Sequence, residues 1–226
     1  DVSVCEGGFK GDQRDGKGVF RTADGYSYDG DWVAGRMEGA GRMTYADGSV
    51  YEGAFRADKP EGRGRITYGD GSGYEGDWVA GEIAGQGRAT YADGAVYEGA
   101  FADGQAQGKG VLTRPDGYRY EGDWVAGKRT GEGTATYADG ATYSGGFVDG
   151  ARQGKGRMTM ADGFSYEGDW VAGEMTGQGI ARYANGDVYE GAFVKGRREG
   201  QGALRYANGR ESAGQWLNGI LVAAPE

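Results

Sequence analysis

The chain has 226 residues, of which 50 are glycine and only 3 are proline. So little proline excludes collagen and proline-rich linkers, and 12% aromatic residues are too many for a solvated, disordered segment. A formal net charge of −9 argues against a general nucleic-acid binder, which presents a basic patch. Glycine and aromatic residues together indicate a backbone that turns often and still buries large rings.

The side chains that most often carry catalysis are scarce. The chain has no histidine, which removes the usual general base and the commonest metal ligand. Its single cysteine, Cys5, cannot form an intrachain disulfide and leaves the redox compartment open. We expect a cytoplasmic location, with export as the alternative. We expect no catalytic residue, no bound metal and no cofactor.

A pattern of aromatic-x-Gly-x-aromatic recurs every 23 residues. Eight copies begin with tyrosine, at residues 28–32, 51–55, 74–78, 97–101, 120–124, 143–147, 166–170 and 189–193. Copies at 5–9 and 212–216 have Cys5 and Ser212 in that place, as expected for the end repeats of an array. Nine repeats (5–211) without an insertion, and a partial repeat at 212–226, indicate a tandem-repeat protein.

The first predicted strand of each repeat carries the aromatic pair. In residues 26–32, Tyr28, Gly30 and Trp32 share one face because side chains alternate along a strand. The missing side chain of Gly30 leaves a slot, over which we expect a ring from the neighbouring strand to lie. The repeat therefore predicts a ladder of buried rings, each stabilising the fold by roughly 1.5–3 kcal/mol.

A second predicted strand completes each hairpin. Residues 33–35 open a connection that we expect to reach Gly39, after which Gly41, Met43 and Tyr45 share one face. An Asp-Gly or Asn-Gly pair, here Asp47-Gly48, then turns the chain into the next repeat, because both residues tolerate positive φ. The predicted fold is all-β: an elongated, single-layer antiparallel sheet of tandem hairpins, a twisted and grooved rod formed by one array over residues 1–226.

A longer period of two repeats lies on top of the first. The closing aromatic alternates between phenylalanine and tryptophan from Phe9 to Trp216, and an aspartate precedes four of the five tryptophans. Duplication of a repeat pair explains this alternation, and a ligand that spans two repeats is the alternative.

Glutamates recur at one position of the predicted opposite face, at residues 52, 75, 98, 121, 167 and 190. Adjacent copies are expected to lie about 10 Å apart, two strand spacings, which is too far to converge on a calcium ion. We expect these carboxylates to pair with arginine or lysine.

The combined motif resembles the MORN repeat (membrane occupation and recognition nexus). Tyr-x-Gly-x-Trp/Phe is followed by Gly-x-x-x-Gly-x-Gly, as in residues 35–41, and by Asp-Gly-x-x-Tyr, over most of residues 5–216. Besides Cys5 and Ser212, four residues depart from the motif: Asp12, Asp58, Arg114 and Met160. The resemblance implies a single-layer antiparallel sheet and a scaffold that dimerises, binds peptides along a groove or associates with membranes.

These observations favour a protein-binding or self-assembling scaffold over an enzyme. The predicted partner-binding residues, whose alternative role is packing within the ladder, are Tyr45, Tyr68, Tyr74, Trp78, Tyr91, Tyr97, Phe101, Tyr120, Trp124 and Tyr137. A homodimer is expected through a terminal edge formed by Ser212, Trp216, Ile220, Leu221 and Val222. Phospholipid association is the alternative function, which the net charge disfavours, and no nucleic acid is expected.

Overall fold

The computed structural model describes residues 3–223, and every regular element in that range is a β-strand. The chain divides into two compact units, unit 1 (Asp1–Leu112) and unit 2 (Thr113–Glu226). No helix that could cross a membrane occurs among the described residues. Residues 1, 2 and 224–226 of the predicted array lie outside this range.

Ten strands form unit 1, the last of which ends one residue beyond it. They are β1 (Val4–Lys10), β2 (Gln13–Arg21), β3 (Ser27–Val33), β4 (Arg36–Thr44), β5 (Val50–Arg56), β6 (Lys59–Thr67), β7 (Gly73–Val79), β8 (Glu82–Thr90), β9 (Val96–Ala102) and β10 (Gln105–Thr113). From β1 to β9, each strand pairs antiparallel with the next, and β9 pairs with β10.

Unit 2 repeats the same pattern with the remaining strands. They are β11 (Arg119–Val125), β12 (Lys128–Thr136), β13 (Thr142–Val148), β14 (Ala151–Thr159), β15 (Ser165–Val171), β16 (Glu174–Arg182), β17 (Val188–Val194), β18 (Arg197–Arg205), β19 (Glu211–Leu217) and β20 (Ile220–Ala223). From β11 to β19, each strand pairs antiparallel with the next. The predicted all-β antiparallel sheet of tandem hairpins is therefore confirmed, whereas a single array over residues 1–226 stays a prediction.

The tip of each hairpin is tighter than the sequence predicted. Ala34 (φ 48°) and Gly35 (φ 82°) alone connect β3 to β4, so the expected connection reaching Gly39 is wrong. Positive φ at two successive residues forms the two-residue turn that matches the twist of paired strands. The Gly35 N–H donates to the Arg14 carbonyl of the neighbouring hairpin at 2.9 Å, which ties one hairpin tip to the next.

The Asp-Gly pair turns the chain between repeats as predicted, but with a different role for the aspartate. Residues 45–49 are closed by the Tyr45 N–H donating to the Ser49 carbonyl at 2.8 Å, and only Gly48 has positive φ (84°). The Asp47 Oδ1 accepts a hydrogen bond from the Ser49 N–H at 2.9 Å. The aspartate therefore stabilises the loop through its side chain rather than through its backbone conformation.

A β-bulge explains the first glycine of each Gly-x-Gly pair. Gly30 pairs with Gly41, and Trp32 pairs with Met37, so the three residues 38–40 of β4 lie opposite Asp31 alone. Gly39, inside this bulge, has φ of 68°, a conformation that glycine adopts without strain. The bulge keeps Met37 opposite Trp32 and Gly41 opposite Gly30 despite the two extra residues of β4.

Candidate protein-binding faces

A tyrosine ring covers the second glycine of the Gly-x-Gly pairs from Gly41 to Gly202, whereas Gly18 lies against the Trp32 ring. Tyr28 lies over Gly41 of the next strand, and a Cβ added to Gly41 would be 2.5 Å from the Tyr28 Cε2. The Tyr28 hydroxyl donates to the Asp31 carbonyl of its own strand at 3.0 Å. The expectation for Gly30 was therefore wrong, because Gly30 meets the hydroxyl of its own strand's tyrosine, and the covered glycine is Gly41.

The rings form a ladder of edge-to-face contacts on one face of each unit, here called the aromatic face. In unit 1, the Tyr51 ring centroid lies 5.1 Å from both Phe55 and Trp78. In unit 2, Tyr143 contacts Phe147 and Trp170, also at 5.1 Å. Edge-to-face packing adds roughly 0.5–1.5 kcal/mol to the stabilisation from burial alone. The ladder therefore joins each hairpin to the next within a unit.

Burial of the ladder makes the hydroxyl groups of its tyrosines harder to ionise. It raises the pKa of five tyrosines to about 12: Tyr51, Tyr97, Tyr120, Tyr143 and Tyr166. The cause in each case is desolvation, which disfavours the charged phenolate. These hydroxyls are neutral hydrogen-bond donors at neutral pH.

Six of the ten predicted partner-binding residues belong to the buried ladder. Between 0 and 7% of their surface is exposed: Tyr74, Trp78, Tyr97, Phe101, Tyr120 and Trp124. They form the floor of the aromatic face and offer little area to a partner.

The other four predicted residues follow the second strands and line one side of that face: Tyr45, Tyr68, Tyr91 and Tyr137. We call these four the rim tyrosines. Tyr68 and Tyr91 are 39% and 45% exposed, and Tyr45 and Tyr137 are half-buried. The rim tyrosines are thus the part of the predicted site that a partner can reach.

Alternate hairpins attach to the preceding strand in different ways. The Trp32 indole donates to the Gly18 carbonyl at 3.1 Å, and the same bond joins Trp78 to Gly64 and Trp170 to Gly156. Phenylalanine cannot donate this hydrogen bond. The two-repeat period of the sequence therefore corresponds to a difference in hydrogen bonding inside the sheet.

The aspartate that precedes each of these tryptophans is a second difference between alternate hairpins. Asp77 pairs with Arg63 across the strands at 3.2 Å, and its Oδ2 accepts from the Gln86 N–H in the bulge at 2.8 Å. These two contacts hold the pKa of Asp77 below its usual value. At the intervening boundary between β4 and β5, the same register position pairs Ala54 with Ala40, neither of which is charged. The contacts between neighbouring hairpins therefore alternate between two kinds along each unit.

The opposite face of each unit, here called the polar face, carries paired charges. In unit 1, Arg88 pairs with Glu98 at 3.1 Å, and Arg42 lies 3.5 Å from Glu52. Within residues 3–223, no group of three or more His, Cys, Asp or Glu side chains could hold a metal ion. Glu52 and Glu98, two of the recurring glutamates, therefore form the ion pairs with arginine that the sequence predicted.

The predicted dimerisation edge combines buried and exposed residues. Trp216 is only 3% exposed, because it packs on Tyr189 and donates from its indole to the Gly202 carbonyl. Ile220 and Val222 are 68% and 55% exposed, whereas Ser212 and Leu221 are half-buried. Among these residues, the apolar surface that a second copy can reach is that of β20.

Sequence reasoning missed a row of arginines in unit 2. Arg152 lies 4.5 Å above the Trp170 ring, and Arg198 lies 4.5 Å above Trp216. Next to Arg152, an apolar cavity of about 150 Å³ is bordered by Met158, Met160 and other residues. The replacement of a rim tyrosine by Met160 was visible in the sequence, but its closeness to the arginines depends on the register of the strands.

Comparison with known proteins places the chain in a family. The MORN repeat model matches nine consecutive segments, at residues 5–25, 28–50, 51–73, 74–96, 97–117, 120–142, 143–164, 166–188 and 189–209. This chain belongs to the MORN repeat family. A comparison of the MORN repeat chain with curated proteins found no match.

Several solved structures show a weaker likeness to the MORN repeat chain. The TCP10 domain of Danio rerio CPAP is 13% identical, with 86% of this chain and 91% of that chain covered and a TM-score of 0.47. The SAS-4 TCP domain of Drosophila melanogaster, in complex with a proline-rich motif of Ana2, is 16% identical, with 87% and 88% covered and a TM-score of 0.38. At such TM-scores, neither likeness carries an argument about this chain.

Proposed function

We propose that this MORN repeat chain is a non-enzymatic scaffold that binds a protein segment on its aromatic face. The observation that supports the proposal is the exposure of the rim tyrosines above a floor of buried rings. Tyrosine provides a large contact area with few rotatable bonds, and it retains a hydroxyl for hydrogen bonding. Because the floor is packed before any partner arrives, little conformational entropy is lost on binding.

Site-specific photo-crosslinking tests this proposal. A photoreactive phenylalanine analogue placed at Tyr68 of the full chain should give discrete protein adducts in an extract of the source cells. The matched control carries the same analogue at Arg65, on the polar face of β6, the strand that Tyr68 directly follows. Absence of adducts at Tyr68, or identical adducts from both positions, would contradict a binding role for the aromatic face.

We also propose that the chain forms a homodimer through β20. Leu217, Ile220 and Val222 expose between 51 and 68% of their surface, which favours association with an apolar partner. An Ile220→Asp/Val222→Asp variant should then show half the mass of the unmodified chain in light scattering. Val171→Asp, at a similarly exposed valine of unit 2, should leave the mass unchanged, and a monomeric unmodified chain would refute the dimer.

A further inference from the structure

One repeat position on the aromatic face differs between the two units. In unit 1 this position, which pairs with the closing aromatic of its hairpin, is occupied by Arg14, Met37, Pro60, Ile83 and Ala106. In unit 2 it is occupied by Arg129, Arg152, Met175 and Arg198. We call these four residues of unit 2, the three arginines and Met175, the unit 2 row. The two aromatic faces are therefore built alike, but unit 1 has one arginine at this position, over Trp32, whereas unit 2 has three.

The arginines of the unit 2 row are held in place. Arg152 donates from its Nη2 to the Gly173 carbonyl at 2.7 Å, and Arg198 makes the same bond with Gly219. Arg129 lies among three rings and donates to the Tyr118 hydroxyl. Each guanidinium is thus fixed over an aromatic surface, with part of its own surface still exposed.

Within residues 3–223, the arginines of the unit 2 row form no ion pair with a carboxylate. Among residues 3–223, the ion pairs within 4.0 Å involve other basic residues, such as Arg88 and Lys155, and none of the arginines of the unit 2 row. A half-buried guanidinium retains unused donors and an unbalanced charge, and hydrogen bonds from such a group to a carboxylate are about twice as strong as neutral ones. The unit 2 row therefore favours an anionic partner, even though the whole chain is acidic.

The one apolar member of the row marks a cavity. Met175, Met158, Met160, Phe164 and Trp170 border the cavity of about 150 Å³. A volume of roughly this size accommodates a benzene-sized group. A leucine or phenylalanine side chain of a partner matches both its size and its lining.

Charged residues stand around this cavity. Arg152 and Lys195 contribute to its border, and Arg198 follows Met175 in the unit 2 row. Glu174 also borders the cavity and is the acidic residue among those that line it. The apolar cavity therefore has an arginine on either side of it along the row.

We propose that the aromatic face of unit 2 binds an extended peptide segment in which a large apolar side chain is flanked on both sides by acidic residues. Successive members of the row are two strands apart, about 10 Å, which an extended chain spans in about three residues. The segment thus carries acidic residues about three positions before and after the apolar one. This inference rests on the proposed function, of which it specifies the partner.

Selection from a random library of 12-residue peptides displayed on phage tests the inference, with the full chain as bait. Peptides enriched by the unmodified chain should carry Asp or Glu about three residues on each side of Leu, Ile, Met or Phe. Enrichment of neutral or basic peptides would overturn the acidic requirement while leaving the proposed function intact. No enrichment on any bait would count against both.

Variants of the bait assign the binding to the unit 2 row. Arg152→Met/Arg198→Met keeps an aliphatic chain over each tryptophan, and methionine is native to this repeat position at 37 and 175. A synthetic copy of the most enriched acidic peptide should bind this variant at least tenfold more weakly in fluorescence anisotropy. Arg157→Met, on the polar face of unit 2, removes one charge as a control and should bind as the unmodified chain does.

Two further variants test separately how the cavity and the nearby charges contribute to peptide binding. Met175→Arg fills the cavity with the residue that the row carries elsewhere, and it should abolish the preference for an apolar centre while retaining acidic residues. Glu174→Gln removes a carboxylate near the site and should tighten binding of the acidic peptide. Unchanged selection by Met175→Arg, or equal affinity for Arg152→Met/Arg198→Met and the unmodified chain, would refute the proposed site.

Discussion

At the scale of single residues, close contact between a ring and the backbone decides where glycine is required. Gly41 has an extended backbone that any residue can adopt, but Tyr28 occupies the space of a side chain. Gly69 lies at the loop position that alanine occupies at residues 46 and 92. The atom nearest to a Cβ added at Gly69 would be 3.9 Å away. Neither glycine has positive φ, and the two differ in the space around them.

Substitution of these glycines by alanine gives the first prediction. Gly41→Ala should lower the free energy of unfolding by about 1–3 kcal/mol, because the ring of Tyr28 must move out of a well-packed site. Gly69→Ala should leave it unchanged or raise it by about 0.4–1 kcal/mol, because alanine restricts the unfolded chain. Urea denaturation of both variants measures the difference, and equal effects would contradict the role of the ring.

At the scale of strands and hairpins, an aspartate that precedes a tryptophan connects its own strand to the strand on either side of it. Asp31 pairs with Lys17 on the preceding strand at 2.6 Å and accepts from the Ala40 N–H on the following one at 3.2 Å. Both contacts hold the pKa of Asp31 below its usual value, and the lysine contact has the larger effect. The pKa of Asp169 is lowered in the same way, first by Lys155.

These lowered pKa values give a prediction about acid stability. A carboxyl group with a pKa below 3.8 in the folded state stabilises the fold above that pH, and the contribution is lost as pH falls through the folded-state value. The triple variant Asp31→Ala/Asp77→Ala/Asp169→Ala should therefore melt a few degrees below the unmodified chain at neutral pH. The two melting temperatures should converge as the pH falls below 3.8, as measured by circular dichroism. A constant difference across this range would exclude the charge as the cause.

The hairpin order was predictable from the sequence, but the geometry of the hairpin tips was not. An uninterrupted period with alternating aromatic and glycine residues has few interpretations other than repeated hairpins. The turn at Ala34-Gly35 was missed because alanine rarely adopts positive φ, and here the pairing of β3 with β4 imposes it.

The candidate site was predictable only in part. The sequence identified the aromatic face, but it could not separate the buried Tyr74 from the exposed Tyr68, because both are tyrosines on predicted strand positions. It also did not reveal the unit 2 row, because an arginine such as Arg152 reads as a solvated residue until its packing over Trp170 is known.

At the scale of the whole molecule, the buried tyrosines of both units make the fold sensitive to alkali. Their pKa values of about 12 lie above the usual 10.0, so burial stabilises the fold fully below pH 10 and the contribution is lost as pH rises through about 12. We expect phenolate absorbance from the ladder and the loss of β-sheet circular dichroism to occur together in that range. A Tyr68→Phe variant, which removes one rim phenol, should keep the transition. Ionisation of all tyrosines near pH 10 without unfolding would contradict burial of the ladder.

The matching of neighbouring hairpins limits how a coding sequence for such an array can change in length. Loss of residues 51–73, a single repeat, would set Ala40 opposite Asp77 and leave that aspartate without its cation. Loss of two consecutive repeats would restore the original neighbours at the join. Unequal recombination should therefore leave functional descendants whose lengths differ by an even number of repeats.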